Sequence, residues 1–170
     1  MKIFFFLVFV LLVGCYADHE QDESTPSSEN KYYESDFKND IVVKTFDEAL
    51  HYVFTTIEYK DDPLDYWQTP EQTYTLKTGD CEDFAILVMW IIWEKLKIDS
   101  RLILISKDGI GHAIISVNGE YYDPRNTGVM YRTMKAYPVD LSTWKILYTF
   151  SYDETMHQAY FHHCRERKFN

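Results

Sequence analysis

Beyond residue 40 the apolar positions change rhythm several times, and each rhythm predicts an element. Phe46, Ala49, Leu50, Val53, Phe54 and Ile57 recur at three- and four-residue spacing, which is one face of a helix. Thr45, with Glu48 three residues on, has the form of a capping box, and Asp61-Asp62-Pro63 is expected to close the segment. Residues 64–78 keep no period and read as turns and irregular structure. Phe84 to Trp93 is then apolar for ten residues without a break. A helix apolar on all sides is a buried one, and ten residues fall short of the roughly 20 needed to cross a bilayer. A central core helix is therefore expected, with Cys81 at its start. Strand-like runs follow: Arg101 to Ser106, Ala113 to Val117, Glu120 to Asp123 and Lys145 to Ser151, with a short helix over Asp153 to Arg165. Asn118-Gly119 between the second and third runs is a two-residue hairpin turn. Helices first and an antiparallel sheet after them make an α+β pattern.

The beginning of the chain follows other rules. Ile3 to Val13 is an apolar run of eleven residues behind the single charge of Lys2. That is too short to span a membrane and suits the core of an export signal. Residues 16–40 are acidic and poor in aliphatics, so they cannot bury enough surface to order themselves. They read as a flexible tether, and the domain is expected to occupy 41–170.

Composition adds two constraints. With 14 Tyr, 11 Phe and 4 Trp, a substantial core is available to a chain the length of one domain. Formal charge is −10; losing Lys2 with a signal leaves 16 cationic against 27 acidic residues, or −11. This excludes a broad electrostatic footprint for nucleic acid, and anionic membrane surfaces would repel the chain unless it were anchored. A monomer is expected.

Cys81 follows Gly79-Asp80 at a predicted helix N-terminus, where the dipole favours a negative sulfur and the Cys81 N–H, free of intrahelical bonds, can face a developing oxyanion. The negative charge of Asp80, Glu82 and Asp83 around it opposes the dipole and disfavours a thiolate. A thiol nucleophile also needs a base and a group that orients the base. The hairpin supplies candidates. If Asn118-Gly119 is the turn, Val117 opposes Glu120, Ile114 opposes Asp123 and His112 opposes Arg125. Because side chains alternate along strands, His112 and Asp123 share a face as diagonal neighbours, within reach of longer side chains. A register slip of one residue would separate them. Cys81, His112 and Asp123 are thus the expected catalytic set, although parity alone does not bring that face to Cys81. Taken singly, Cys81 reads as a buried structural thiol, and Asp123 beside Pro124 as a turn residue.

Two resemblances extend this reading. Leu12-Val13-Gly14-Cys15 resembles a bacterial lipobox; it implies a signal peptide over 1–14, lipid on Cys15, a tether over 15–40, and an exported protein held to the cell envelope through that lipid. An ordinary signal peptide cleaved near Ala17 is the alternative. Gly79-Asp80-Cys81-Glu82-Asp83-Phe84-Ala85, the upstream Trp67-Gln68-Thr69-Pro70-Glu71, and Gly111-His112-Ala113 followed by Tyr122-Asp123-Pro124 resemble the segments of bacterial transglutaminase-like cysteine peptidases, in order and spacing, over roughly 60–127. The resemblance implies a papain/transglutaminase-like core, with a central Cys-bearing helix on an antiparallel sheet. It also implies acyl-enzyme chemistry on a peptide or protein substrate: Cys81 attacks, His112 carries protons and Asp123 orients His112. Gln68 is a candidate second oxyanion donor. No cofactor is required, but calcium is admitted, since some relatives bind it through carboxylates flanking the Cys; Asp80 and Glu82 are the candidate ligands here, with helix capping as the plainer role for these acids.

Rival readings remain. A non-catalytic lipoprotein could bind peptide or cell-wall material in the same cleft. A transamidase would use the same thioester. His157, His162, His163 and Cys164 are too irregularly spaced to read as a metal site, and a Cys81–Cys164 disulfide would silence the thiol.

Overall fold

The computed structural model describes residues 33–62, 66–125 and 136–167. Cys15, the signal segment and most of the tether lie outside them, as do the side chains of His162, His163 and Cys164.

Helix α1 (Tyr33–Asp40) comes first. Phe37 is buried, stacked on Trp90 and edge-on to Tyr74 with ring centroids 4.4 Å apart in both pairs. Packing therefore begins before Ile41, within the stretch read as tether. One aromatic docked between two others offsets the polar composition around it.

Helix α2 (Phe46–Thr56) starts as its cap requires, with the Glu48 N–H donating to Thr45 Oγ1 at 3.2 Å. The expected stripe is its inner face: Ala49, Leu50 and Val53 are buried, followed by Ile57. The helix stops at Thr56, earlier than the Asp61-Asp62-Pro63 break. Glu58–Tyr59 (β1) leaves it to pair in parallel with Thr78–Gly79 (β2), which anchors the backbone just ahead of Cys81.

The stretch 64–78 is not all irregular, because Pro70–Leu76 forms helix α3. Thr69-Pro70-Glu71-Gln72 encodes it. Thr69 Oγ1 accepts the Gln72 N–H at 3.3 Å, Gln72 Oε1 accepts the Thr69 N–H at 2.8 Å, and Pro70 occupies the first turn, where its missing N–H costs nothing. The helix is too short to show an apolar period but has strong start signals.

Helix α4 (Cys81–Ile91) is the central helix, with every residue from Glu82 to Ile91 buried. Its continuation, Ile92–Leu96, widens into a π turn that ends at Lys97, φ 58°. The sheet has strand order β5-β4-β3-β6 and all pairs are antiparallel: β3 is Arg101–Lys107, β4 Ile110–Val117, β5 Glu120–Tyr122 and β6 Lys145–Ser151. Helix α4 covers one face, where Leu102, Ala113 and Ile115 join its core. Ile103, Ile105 and Ile114 form a second cluster on the other face, closed by Tyr121, Leu141 and Trp144. Burial on both faces explains why β3 and β4 lack the alternation of a half-exposed strand. Helix α5 (Tyr152–Arg167) returns onto the core through Thr155, Met156 and Ala159. The fold is α+β, with the Cys-bearing helix packed on an antiparallel sheet. Among the described residues no helix is long and apolar enough to cross a membrane.

Both turns of the β3-β4-β5 meander are two-residue turns with positive φ at each position: Asp108 (52°) and Gly109 (83°), then Asn118 (53°) and Gly119 (85°). This is the conformation for which Asp-Gly and Asn-Gly are suited. The register of the second is as expected, with Val117 opposite Glu120 and Ile115 opposite Tyr122.

Candidate active site

The N-terminus of α4 is built from tight backbone contacts. Asp83 is its clasp: Oδ2 accepts the Asp80 N–H at 3.2 Å and Oδ1 accepts the Gln68 N–H at 2.8 Å. One carboxyl thereby fixes the Trp67-Gln68 segment to the helix start. The close approach explains Gly79, because a Cβ there would meet Asp83 Cβ at 2.6 Å and Oδ2 at 2.8 Å. Asp80 is the N-cap residue. Capping therefore accounts for two of the three acids around Cys81.

Glu82 is different. It is 4 % exposed, and its Oε2 accepts the Cys81 thiol at 3.2 Å. Burial, and then the charge of Asp80, lifts Glu82 to about 9. Burial raises Asp83 to about 7, against the pull of the Gln68 N–H, and raises Asp80 as well. Burial likewise pushes the Cys81 thiol up to about 12; the charge of Glu82 and its hydrogen bond add to this, while a hydrogen bond from the Ala113 backbone opposes it. The helix half of the site thus holds protons, whatever the dipole contributes. Glu82 Oε1 and Asp80 Oδ1 are buried with no N–H or hydroxyl donor among the described residues; the two carboxyls share a hydrogen bond with each other, which works to raise Glu82 and to lower Asp80.

The hairpin half is better satisfied. His112 Nε2 lies 3.0 Å from Asp123 Oδ2, and Asp123 Oδ1 accepts the Arg125 N–H at 2.8 Å. Each carboxylate oxygen has a donor, and the imidazole is held through Nε2, leaving Nδ1 as its second working nitrogen. The Trp144 ring lies 6.3 Å from the imidazole, on the face opposite α4. Sequence reasoning did not single out Trp144. It lies outside every recognised motif, and only tertiary folding of the segment before β6 carries it to His112.

The two halves meet at a cavity of about 230 Å³ lined by Cys81, Glu82, His112, Ala113, Trp67 and Leu147, among others. Cys81 and His112 therefore share one cavity wall, which the hairpin register alone could not establish. The thiol bonds Glu82 rather than His112. Trp67 lines the cavity, but Gln68 does not; the Gln68 side-chain oxygen is buried without a partner among the described residues, and its backbone serves Asp83. Leu147 was also not foreseen. The β3–β6 register shifts between Leu104 and Ile105, which pair with Tyr148 and Ile146. Leu147 is the extra residue of this bulge, and bulges redirect side chains in this way.

A family model described as transglutaminase-like domain matches residues 25–152. The chain belongs to that family. The transglutaminase-like match takes in α1 and runs through the whole sheet. Among solved structures, LapG of Legionella pneumophila is 21 % identical, with a TM-score of 0.47 over 66 % of this chain and 69 % of that one. An EGTA-treated and a calcium-bound structure of LapG give the same identity and TM-score, covering 66 % of this chain in both cases and 67 % and 69 % of theirs. A search of curated proteins gave no match.

Proposed function

We propose that this chain is a cysteine-nucleophile amide hydrolase in which Cys81 attacks a peptide or isopeptide carbonyl, His112 transfers protons and Asp123 orients His112. The observation carrying this reading is the 3.0 Å contact between His112 and Asp123 beside a cavity that His112 shares with Cys81. In the first step the thiol proton passes to His112 Nδ1 as sulfur bonds the carbonyl carbon. The carbonyl oxygen becomes an oxyanion facing the Cys81 N–H at the helix start. Collapse breaks the C–N bond, and the amine leaves with the proton from His112. Water, deprotonated by His112, then opens the thioester and restores the thiol. For this cycle the sulfur must leave Glu82 and turn toward the imidazole, a rearrangement that binding of substrate can supply.

Calcium fits the helix half in part. Asp80 Oδ1 and Glu82 Oε1 are buried oxygens with no N–H or hydroxyl donor among the described residues and would be its ligands, the cation replacing the proton the two carboxyls share. No group of three or more His, Cys, Asp or Glu side chains suited to a metal occurs among the described residues, so backbone or water oxygens would complete the shell. A bound dication would supply the positive charge that lets these carboxyls ionise. The protein is further proposed to be exported, with 1–14 removed and lipid on Cys15; an intact mass without a lipid adduct rules that out.

The test of the catalytic reading is Cys81-dependent turnover of a broad peptide library, with products read by mass spectrometry. Equal background from wild-type and Cys81→Ala protein rejects it. Added amine appearing in the products would assign transamidation instead. The raised thiol favours one rival, a cleft that binds peptide without chemistry; iodoacetamide labelling that is indifferent to His112→Ala would select it.

A further inference from the structure

The sheet has one edge whose character the fold does not require. β6 is an outer strand of seven residues, and its centre, Ile146-Leu147-Tyr148, is exposed by 43, 44 and 58 %. Three adjacent large apolar side chains on an edge unpaired among the described residues are unusual, because natural edges are blunted by charge, proline or brevity. Here the only charged side chain is Lys145 at the strand's start. The bulge divides the edge. Beyond it, Tyr148 to Ser151 keep regular pairing with Leu104 to Arg101. Ser151 is engaged by helix α5, its N–H donating to Glu154 Oε2 and its carbonyl accepting Thr155 Oγ1, both at 2.7 Å. The open edge therefore runs from Ile146 to Phe150, and Leu147 within it lines the cavity shared by Cys81 and His112. The edge and the candidate site are thus one continuous surface, joined at a single side chain.

We propose that the β6 edge receives the substrate as an added strand, laid along Ile146 to Phe150, and that Leu147 selects an apolar side chain next to the bond presented to Cys81. The substrate class is then an extended, unfolded polypeptide segment with an apolar residue at the cleavage position, not a folded surface. Strand addition gives affinity through main-chain hydrogen bonds and specificity through alternate side chains. Trp67 packs edge-on to Phe150 of the same strand, ring centroids 5.6 Å apart, so the far wall of the cavity and the edge are held as one unit. The proposal rests on the hydrolase reading for the bond being cut, but not for the docking itself.

The test uses full-length Cys81→Ala protein, in which chemistry is removed and docking alone is read. Fluorescein-labelled octapeptides, varied one position at a time, are titrated by anisotropy. The expected result is a preference for Leu, Val or Ala over Asp of at least about tenfold at one position, and a loss of at least about tenfold in that preference with Leu147→Glu. N-methylation along the best peptide should weaken binding at alternate residues only, the signature of a strand. This readout leaves the protein unaltered and stands even if Leu147→Glu folds poorly. Val42→Glu, at another exposed apolar site, should change nothing. No peptide binding, or N-methylation without a two-residue period, overturns the proposal. So does a concentration-dependent dimer dissolved by Tyr148→Glu, which would assign the edge to a second copy of the chain. Failure of the catalytic reading appears elsewhere, as alkylation of Cys81 in otherwise wild-type protein that ignores His112→Ala.

Discussion

The candidate site has two halves built on opposite terms. On the hairpin, His112 and Asp123 are partly exposed, paired at 3.0 Å, and each Asp123 oxygen has a donor. On the helix, Cys81, Asp80 and Glu82 are crowded into a buried corner where two carboxyl oxygens have no N–H or hydroxyl donor among the described residues and the thiol is held protonated. The difference separates positioning from reactivity. The hairpin half is set by strand register and is ready as it stands. The helix half needs a change of charge, whether proton movement, substrate or a cation, before sulfur can act. A helix dipole contributes a fraction of a charge, and against burial of the thiol and then the charge of Glu82 it does not win.

The largest expected effect falls on the ready half. Asp123→Asn should lower kcat/KM on Cys81-dependent substrates by about 10³–10⁴-fold, since a neutral amide no longer holds the imidazole in the tautomer whose Nδ1 accepts the thiol proton. The fold should survive, because Asp123 is partly exposed and Asn can still accept the Arg125 N–H. Circular dichroism together with steady-state rates checks this. A loss of less than tenfold would mean that the hairpin pair is structural.

Next comes the half that is not ready. Iodoacetamide labelling of wild-type Cys81 should stay slow through pH 9 and rise only as pH approaches about 12. Glu82→Gln removes both the charge and the strongest acceptor of the thiol proton, so at pH 9 it should speed labelling on the order of tenfold, one unit of thiol acidity. Stability carries the same signature. Glu82 and Asp83 are raised when folded, to about 9 and about 7, so the native state binds more protons than the unfolded chain above the ordinary carboxylate range. Stability is then full at low pH and falls as pH rises through those values. The melting temperature should be higher at pH 5 than at pH 8.5, with a flatter profile for Glu82→Gln. If calcium occupies Asp80 and Glu82, it should raise the melting temperature at pH 8.5 and do little at pH 5. A melting temperature that ignores both calcium and chelator at pH 8.5 removes the cation from the proposal.

The contrast also explains what could be read from the chain beforehand. Hairpin parity depends only on where Asn118-Gly119 falls, so the alignment of His112 with Asp123 was legible. The α4 core helix was legible from ten apolar residues, and β6 from its β-branched and aromatic run. What escaped depended on the third dimension. Phe37 looked like part of a polar tether because its partners, Tyr74 and Trp90, are far along the chain. Trp144 reaches His112, and Leu147 the cavity, through a segment and a bulge that no local pattern announces. The opposition of the acids to a thiolate was legible from Asp80, Glu82 and Asp83 beside Cys81, but the burial that leads the effect is a property of the packed corner and not of its sequence neighbours. Helix α3 was legible in principle, since Thr69-Pro70-Glu71-Gln72 is a start signal, but its seven residues give no period to confirm it.

A packing contrast yields a smaller effect. Gly79→Ala would place a methyl against Asp83 Cβ and Oδ2, displacing the clasp; a loss of about 1–3 kcal/mol in urea unfolding is expected for such overpacking, together with faster alkylation as the corner loosens. Gly111→Ala, on the hairpin side, has nothing within 4 Å of its added Cβ and should be near neutral for stability. Equal costs at the two glycines would erase the distinction between a crowded helix half and an open hairpin half.

The smallest expected effect tests how the helix half is braced from outside. Thr69 caps α3 and is 2 % exposed, and the same stretch of chain presents the Gln68 N–H to Asp83. Thr69→Ala leaves the Gln72 N–H without its acceptor, a loss of about 1 kcal/mol for an N-cap. Because Gln68 adjoins the cap, the loosened turn should also weaken its grip on Asp83, and the stability difference between pH 5 and pH 8.5 should shift with it. Thr45→Ala, the matching change at the more exposed cap of α2, should cost at most as much in urea unfolding and leave the pH profile alone. A pH profile unmoved by Thr69→Ala would show that Asp83 holds the corner from the helix side alone, with the Trp67-Gln68 segment following rather than bracing it.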